Sequence, residues 1–251
     1  MTQGLIRMAG YGWAQDGARI AWVTAVTAGF AVLGYAVHGV SRSGALAGAV
    51  VCFALFASVG PAAFVSLLTL FVITWIATRV GRTRKVRLGT AERGEGRRAS
   101  QVFANLGVVT TCAVLYAVRG DGWWLVAIAA AMAEAAADTV SSELGQAFSR
   151  RALLITSLET VPPGTDGGIS IRGTASGVLA AIVMSAMCVV SGLIPECAAG
   201  VAALAGILGM VVDSFLGAWF ERAKQLSNDA VNFVGTVTAA VAGSVAASLW
   251  G

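Results

Sequence analysis

The chain has 251 residues, of which 57% are hydrophobic and 12% charged, and its mean hydropathy is +0.78. Water-soluble domains carry about 25% charged residues, so these figures exclude a soluble enzyme, a secreted disulfide scaffold and a nucleic-acid module, and no nucleic-acid partner is expected. The formal net charge of +4 says less than where the charges fall.

In chain order, residues 1–17 lack the charged start, unbroken apolar stretch and small-residue cleavage site of a signal peptide, and read as an N-terminal interfacial segment. Residues 18–251 read as a single polytopic transmembrane domain. A spanning helix needs about 20 mostly apolar residues. Apolar runs predict spans near 18–37, 44–59, 61–78, 101–118, 123–143, 173–194, 198–219 and 229–249. The expected fold is an all-α integral membrane protein with about eight transmembrane helices. The second and third runs are joined only by Gly60-Pro61, so seven or nine spans remain alternatives.

Between the third and fourth runs lies a basic loop, 79–98, with eight Lys and Arg residues. Cytoplasmic loops carry the excess of these residues. Placing this loop inside puts fourteen of the seventeen basic residues inside and both termini outside. The expected location is the cell membrane of a prokaryote, crossed several times and in contact with membrane lipids, with oligomerisation left open. Trp13, Trp22, Trp75, Trp123, Trp124, Trp219 and Trp250 fall near predicted span ends, as interfacial anchors do. Cys52, Cys112, Cys188 and Cys197 show no CxxC pairing and read as packed thiols, and His38 reads as structural.

A weak internal echo runs through the chain. Arg42-Ser-Gly-Ala-Leu-Ala-Gly-Ala resembles Arg172-Gly-Thr-Ala-Ser-Gly-Val-Leu, and Asn105-Leu-Gly-Val-Val-Thr resembles Asn232-Phe-Val-Gly-Thr-Val-Thr, at offsets of 130 and 127 residues. Parallel repeats of spans two to four and six to eight are one reading; a shared bias towards small residues is the other.

The informative residues are polar ones in apolar runs. A carboxylate in hydrocarbon costs about 2.5–3.5 kcal/mol on insertion scales and usually faces the bundle interior. In span five, Glu134 and Asp138 are four apart and share a face, with Glu143 nearer the surface. Span seven carries Gly209, Asp213 and Gly217 as a stripe, and span eight opens with Asn228, Asp229 and Asn232. Span four opens with Gln101 and Asn105 behind Arg97 and Arg98. Between spans five and six, Gly164, Thr165, Asp166, Gly167 and Gly168 form a loop whose backbone N–H groups are suited to cradling phosphate. All except Glu134 fall on the cytoplasmic side of this topology. Carboxylates with amides fit Mg²⁺, which takes oxygen ligands and bridges substrate phosphates, and arginines fit phosphate oxygens. The inference is a cytoplasm-facing, membrane-embedded site for a phosphate-bearing substrate and a divalent metal.

Plainer readings stand beside this one. Gln101 and Asn232 can be interhelical glue, the 79–93 stretch a topology determinant or contact to anionic lipid, and the 162–170 segment only a turn. Asp138 and Asp213 can be ion-paired with arginine, and Glu134 can be a helix–helix contact.

The stretches GRRASQVFANLG at 96–107, ADTVSSELG at 137–145, PPGTDGGIS at 162–170, Asp213-Ser214 through Gly217, and LSNDAVNF at 226–233 occur in an order that resembles the transmembrane protein 19 family, also called domain of unknown function 92. The likeness runs from about residue 25 to the C-terminus. That family includes the plant and cyanobacterial phytyl-phosphate kinases and is similar to CTP-using membrane enzymes. The resemblance implies phosphoryl transfer from a nucleoside triphosphate, CTP first, to an isoprenoid monophosphate. Family-like roles carry onto Asn105, Asp138, Glu143, Gly164, Asp166, Gly168, Asp213, Asn228 and Asn232, with Asp138, Asp213 and Glu143 as the catalytic acids; the residues themselves put Asp138 and Asp213, with Asp229 or Glu143, on the metal. Substrate or nucleotide binding falls to Asn105, Asn228 and Asn232 within the matching motifs, and on the residue reading to Arg97, Arg98 and the loop Gly164, Thr165, Asp166, Gly167 and Gly168, which neutralise negative charge. The chain departs from the family at Val140-Ser141, where Trp-Ala is frequent, and at Asp166 and Asp229, where Asn is usual. Transfer of a whole nucleotidyl group to a lipid, transport of a lipid or ion along the buried acids, and a purely structural role are the rival readings.

Overall fold

A computed structural model describes residues 17–249 except residue 93. The predicted interfacial segment, apart from Gly17, lies outside the described residues, as do Trp13, Arg93 and Trp250. The helices are α1 (Gly17–Ala36), α2 (Arg42–Ser58), α3 (Pro61–Arg79), α4 (Arg82–Leu88), α5 (Ala99–Arg119), α6 (Trp123–Phe148), α7 (Ile171–Val190), α8 (Ala199–Leu216) and α9 (Asn228–Ser248). Among the described residues, seven segments are long and apolar enough to cross a membrane. The 17-residue α2 sits at the short limit of the about 17–25 residues that span hydrocarbon, which makes about eight spans.

The boundaries follow from local chemistry. Ser41, Ser170 and Ser227 cap α2, α7 and α9 by accepting from the N–H groups of Gly44, Gly173 and Ala230 at 3.1–3.2 Å. Gly60 takes a φ of +103° and Pro61 opens α3, so the dipeptide ends one span and starts the next. The caps also bear on the internal echo: Ser41 and Ser170 stand 129 residues apart, as do Arg98 and Ser227 at the starts of α5 and α9. Packing does not follow the echo. In the first half α2 packs on α5, whereas in the second α8 packs on α9.

At the centre stands α6, in contact with α3, α5, α7, α8 and α9. Its alanine-rich run from Ala127 to Ala137 is buried throughout, because small side chains let neighbouring backbones come close where no water drives association. The outer helices present Leu46, Val50, Val72, Ile76, Leu179, Leu204 and Val245 outward, a surface that suits lipid. Cys52, Cys112 and Cys188 are buried free thiols and Cys197 is exposed.

Two features were not expected. The basic loop contains α4, and residues 152–169 form a three-stranded antiparallel sheet, β1 (Ala152–Leu154) between β2 (Thr160–Val161) and β3 (Gly168–Ile169). Both lie at the end of the bundle where α3 and α6 finish and α5 and α7 begin, here called the basic end. There Arg97 pairs with Val40 in a parallel bridge. The Arg97 N–H donates to the Gly39 carbonyl at 3.1 Å and its carbonyl accepts from Ser41 N–H at 2.9 Å. A β-carbon on Gly44 would collide with the Arg97 carbonyl oxygen; this close approach fixes the Arg97 backbone against the start of α2.

Candidate active site

The site is built where α5, α6, α8 and α9 meet at the basic end. Asp138 of α6 and Asp213 of α8 come together as a carboxyl pair. Asp213 Oδ2 is buried with no hydrogen-bond partner. Arg97 lies within electrostatic reach of Asp138, and its guanidinium donates to Thr139 Oγ1 at 3.2 Å. The pair is therefore faced by a cation without being closed into a salt bridge.

One turn deeper, Glu134 is 1% exposed and both its carboxyl oxygens lack partners. It fits because α8 and α9 offer Gly209 and Gly235, where a β-carbon would strike the Glu134 side chain. Asp138 and Asp213 are within its electrostatic reach, so the deep acid extends the same cluster.

Glu221 is the residue that sequence reasoning missed. After Leu216 the chain forms a π turn, Gly217–Glu221, in which the Arg222 N–H reaches back five residues to the Gly217 carbonyl at 3.1 Å. In an unbroken α-helix, eight residues advance about 80° beyond whole turns, which would carry Glu221 to the side of Asp213. The wider π turn takes up one extra residue and returns Glu221 to the Asp213 face. Glu221 consequently sits among Asp138, Asp166, Asp213 and Asp229. No spacing rule for regular helices could have placed it there.

The glycine loop is shaped by packing as much as by turn chemistry. Thr165 and Gly168 N–H groups donate internally, to Pro162 and Thr165 carbonyls, so these two amides are not available to a phosphate. Gly167 has a φ of +71° and lies against the backbone of Ala218 in the π turn. Asp166 projects beside Arg222, and partial burial pushes its carboxyl above the ordinary range against the pull of that guanidinium. Gly167→Ala would place a β-carbon into Ala218 at a positive φ, at a cost of about 1–3 kcal/mol. We expect a lower apparent Tm, read by thermal unfolding in detergent, together with reduced turnover as the π turn moves.

The remaining predicted residues divide. Glu143 is held in an ion pair by the buried Lys85, with exposures of 15% and 1%. The pairing follows from α4 folding back into the bundle. Asn105 is buried and donates to the Gln101 carbonyl of its own helix at 2.9 Å. Arg98 is exposed; its backbone N–H donates to Gln101 Oε1 at 2.8 Å. Asn228 donates to Asn232 at 3.1 Å on the first turn of α9. Asp229 reaches the cluster through Glu221.

The expected triad of Asp138, Asp213 and Asp229 does not form a cage: among the described residues no three acids, histidines or cysteines converge to hold a metal ion. What remains is two carboxyl groups with an orphaned oxygen. That set fits Mg²⁺, which commonly takes one or two carboxylates and fills its octahedron with water and substrate phosphate.

A family model for the integral membrane protein DUF92 matches residues 25–240. Among curated proteins, the chain is 33% identical over 207 residues to Protein VTE6, chloroplastic, of Arabidopsis thaliana, covering 79% of this chain and 62% of that protein. It thus spans less than two thirds of the plant relative's length. It is also 33% identical over 203 residues to an uncharacterised membrane protein of Methanocaldococcus jannaschii, covering 80% of this chain and 83% of the relative. A third relative, an uncharacterised membrane protein of Synechocystis, is 29% identical over 187 residues, 72% of each chain. No solved structure matches. With its motifs, its helices and most of its length matched, the chain belongs to the integral membrane protein family DUF92.

Proposed function

We propose that the chain is a lipid monophosphate kinase, transferring the terminal phosphoryl group of a nucleoside triphosphate, CTP by family resemblance, to an isoprenoid monophosphate. The observation that carries this reading is the Asp138–Asp213 pair, with one oxygen orphaned and the Arg97 guanidinium beside it. In the transfer, an oxygen of the acceptor phosphate forms a bond to the donor's terminal phosphorus as the bond from that phosphorus to its bridging oxygen breaks. A nucleoside diphosphate and a lipid diphosphate leave.

Asp138 and Asp213 would hold Mg²⁺, with Asp229 and Glu221 beyond them; when bound, the ion neutralises charge across the donor phosphates. Phosphoryl transfer asks mainly for positioning and charge stabilisation. Arg97, fixed by its backbone clamp, supplies a cation at a set position. Arg222 beside the 162–168 loop is placed to meet the donor. The acceptor phosphate is already an anion, so no strong general base is required. The excess of Lys and Arg at this end directs it to the cytoplasm, where nucleoside triphosphates are found.

The test is purified protein in detergent with Mg²⁺, radiolabelled CTP or ATP, and a panel of isoprenoid monophosphates, with products separated by chromatography. The expected products are the lipid diphosphate and the nucleoside diphosphate. Pyrophosphate among the products would replace the kinase by a nucleotidyltransferase. No product from folded protein, with substrate accumulation in liposomes, would replace it by a translocase.

A further inference from the structure

A second feature at the basic end is a partly open cavity of about 430 Å³ lined by α1, α2, α3 and α5. Its deeper wall is apolar, formed by Phe30 of α1, Val51 of α2 and Leu67, Leu70 and Phe71 of α3. Its other end carries three guanidinium groups, Arg79, Arg82 and Arg97, against a single carboxylate, Glu92. The two parts together make an amphipathic chamber, apolar at one end and cationic at the other.

The cations are arranged for an anion from outside the protein. Arg79 donates to the carbonyls of Val37 and Trp75 and stacks on the Trp75 ring at 3.9 Å, which holds it in place while leaving its charge uncompensated. Arg82 is close enough to repel it. Glu92 accepts a hydrogen bond from Gln101 at 3.2 Å. Like charges brought together at the edge of an apolar space are unfavourable, and a phosphate between them relieves the repulsion through charge-assisted hydrogen bonds. Free phosphate would leave the apolar wall unfilled. A diacyl lipid, phosphatidic acid included, presents two chains to a single chamber.

We infer that this cavity is the acceptor site, seating one single-chain lipid monophosphate with its tail along Phe30, Leu70 and Phe71 and its phosphate at Arg79, Arg82 and Arg97. The inference rests on the kinase reading for its probe and shares only Arg97 with it. Arg97 is the link: it lines the cavity and also bonds Thr139 beside Asp138, so a phosphate held there lies at the edge of the acid pair. The outer wall, α1, packs chiefly on α2 and turns Val32 and Leu33 outward.

Binding without turnover tests this. Tritiated geranylgeranyl monophosphate is titrated onto purified wild-type protein in nanodiscs, with no nucleotide present. Two variants are compared. Gly48→Phe fills the chamber from α2, where no atom lies within 4 Å of the position a β-carbon would take, and Arg82→Ala removes one cation. Each is expected to weaken binding about ten- to hundredfold, the size of one lost charge-assisted hydrogen bond or a blocked tail site. Inorganic phosphate, geranylgeraniol and diacyl phosphatidic acid are expected not to compete at equal concentration. Wild-type affinity in both variants, shown folded by gel filtration, overturns the inference even if the kinase assay succeeds. Competition by phosphate alone or by phosphatidic acid overturns it as well. Normal binding with no diphosphate formed on adding nucleotide leaves the cavity assignment intact and removes the kinase reading.

Discussion

Replacing Asp138 or Asp213 by asparagine is expected to lower turnover by about 10²- to 10³-fold, the usual loss when one preorganised electrostatic group is removed from a reacting centre. Stability should move the other way. The two carboxyl groups lie close together and Asp213 Oδ2 is buried without a partner, so neutralising one relieves repulsion, and the apparent Tm of each variant should hold or rise. This opposition separates a site from a structural contact, because a residue that only locks helices together loses activity and stability in step. Parallel measurement of rate and thermal unfolding decides it. Turnover within tenfold of wild type in both variants would sink the catalytic assignment. A fall in Tm with the fall in rate would return the pair to a structural role.

The largest loss of stability is expected at Lys85→Met. Lys85 is fully buried, and its ammonium donates to the Thr78 carbonyl at 2.7 Å, to the Ala77 carbonyl at 3.2 Å and to Glu143. The two carbonyls are unpaired acceptors at the end of α3, so one side chain closes that terminus and ties α4 to α6. Methionine preserves much of the volume but leaves the half-buried Glu143 carboxylate without its cation, a change whose cost approaches that of breaking a fully buried pair, about 3–5 kcal/mol. Lys85→Met with Glu143→Gln should recover most of this, since removing both partners removes the uncompensated charge. Chemical unfolding in detergent of the two single variants and the double gives the coupling directly. A cost below about 1 kcal/mol for Lys85→Met, the range of an exposed pair, would show that the pair is open to water.

The spans were legible because bilayer helices are marked by composition, and each predicted run corresponds to a helix. Asp138 and Asp213 stood out for the same reason, as acids inside apolar runs. Lys85 did not: among eight basic residues in one segment, nothing local tells the buried one from those that set topology. The β1–β3 sheet was hidden because its strands are two or three residues long, too short for alternation to register. Glu221 was hidden by the π turn, which breaks the periodicity on which face assignments depend. The cavity was hidden because Phe30, Leu70 and Phe71 read as lipid-facing whether they meet lipid outside the bundle or inside it.

The central position of α6 separates two sensitivities. With its most apolar window 83% buried, α6 has almost no contact with the bilayer, and Glu134 and Asp138 inherit that isolation. Mismatch between helix length and bilayer thickness is met by tilting of helices that touch lipid. Here those include α1, only 17% buried, and the short α2. A thicker or thinner membrane therefore acts on the walls of the Arg79–Arg97 chamber before it reaches the acid pair, so lipid composition should tune how readily an amphiphile enters while the spacing of the carboxyl groups stays fixed.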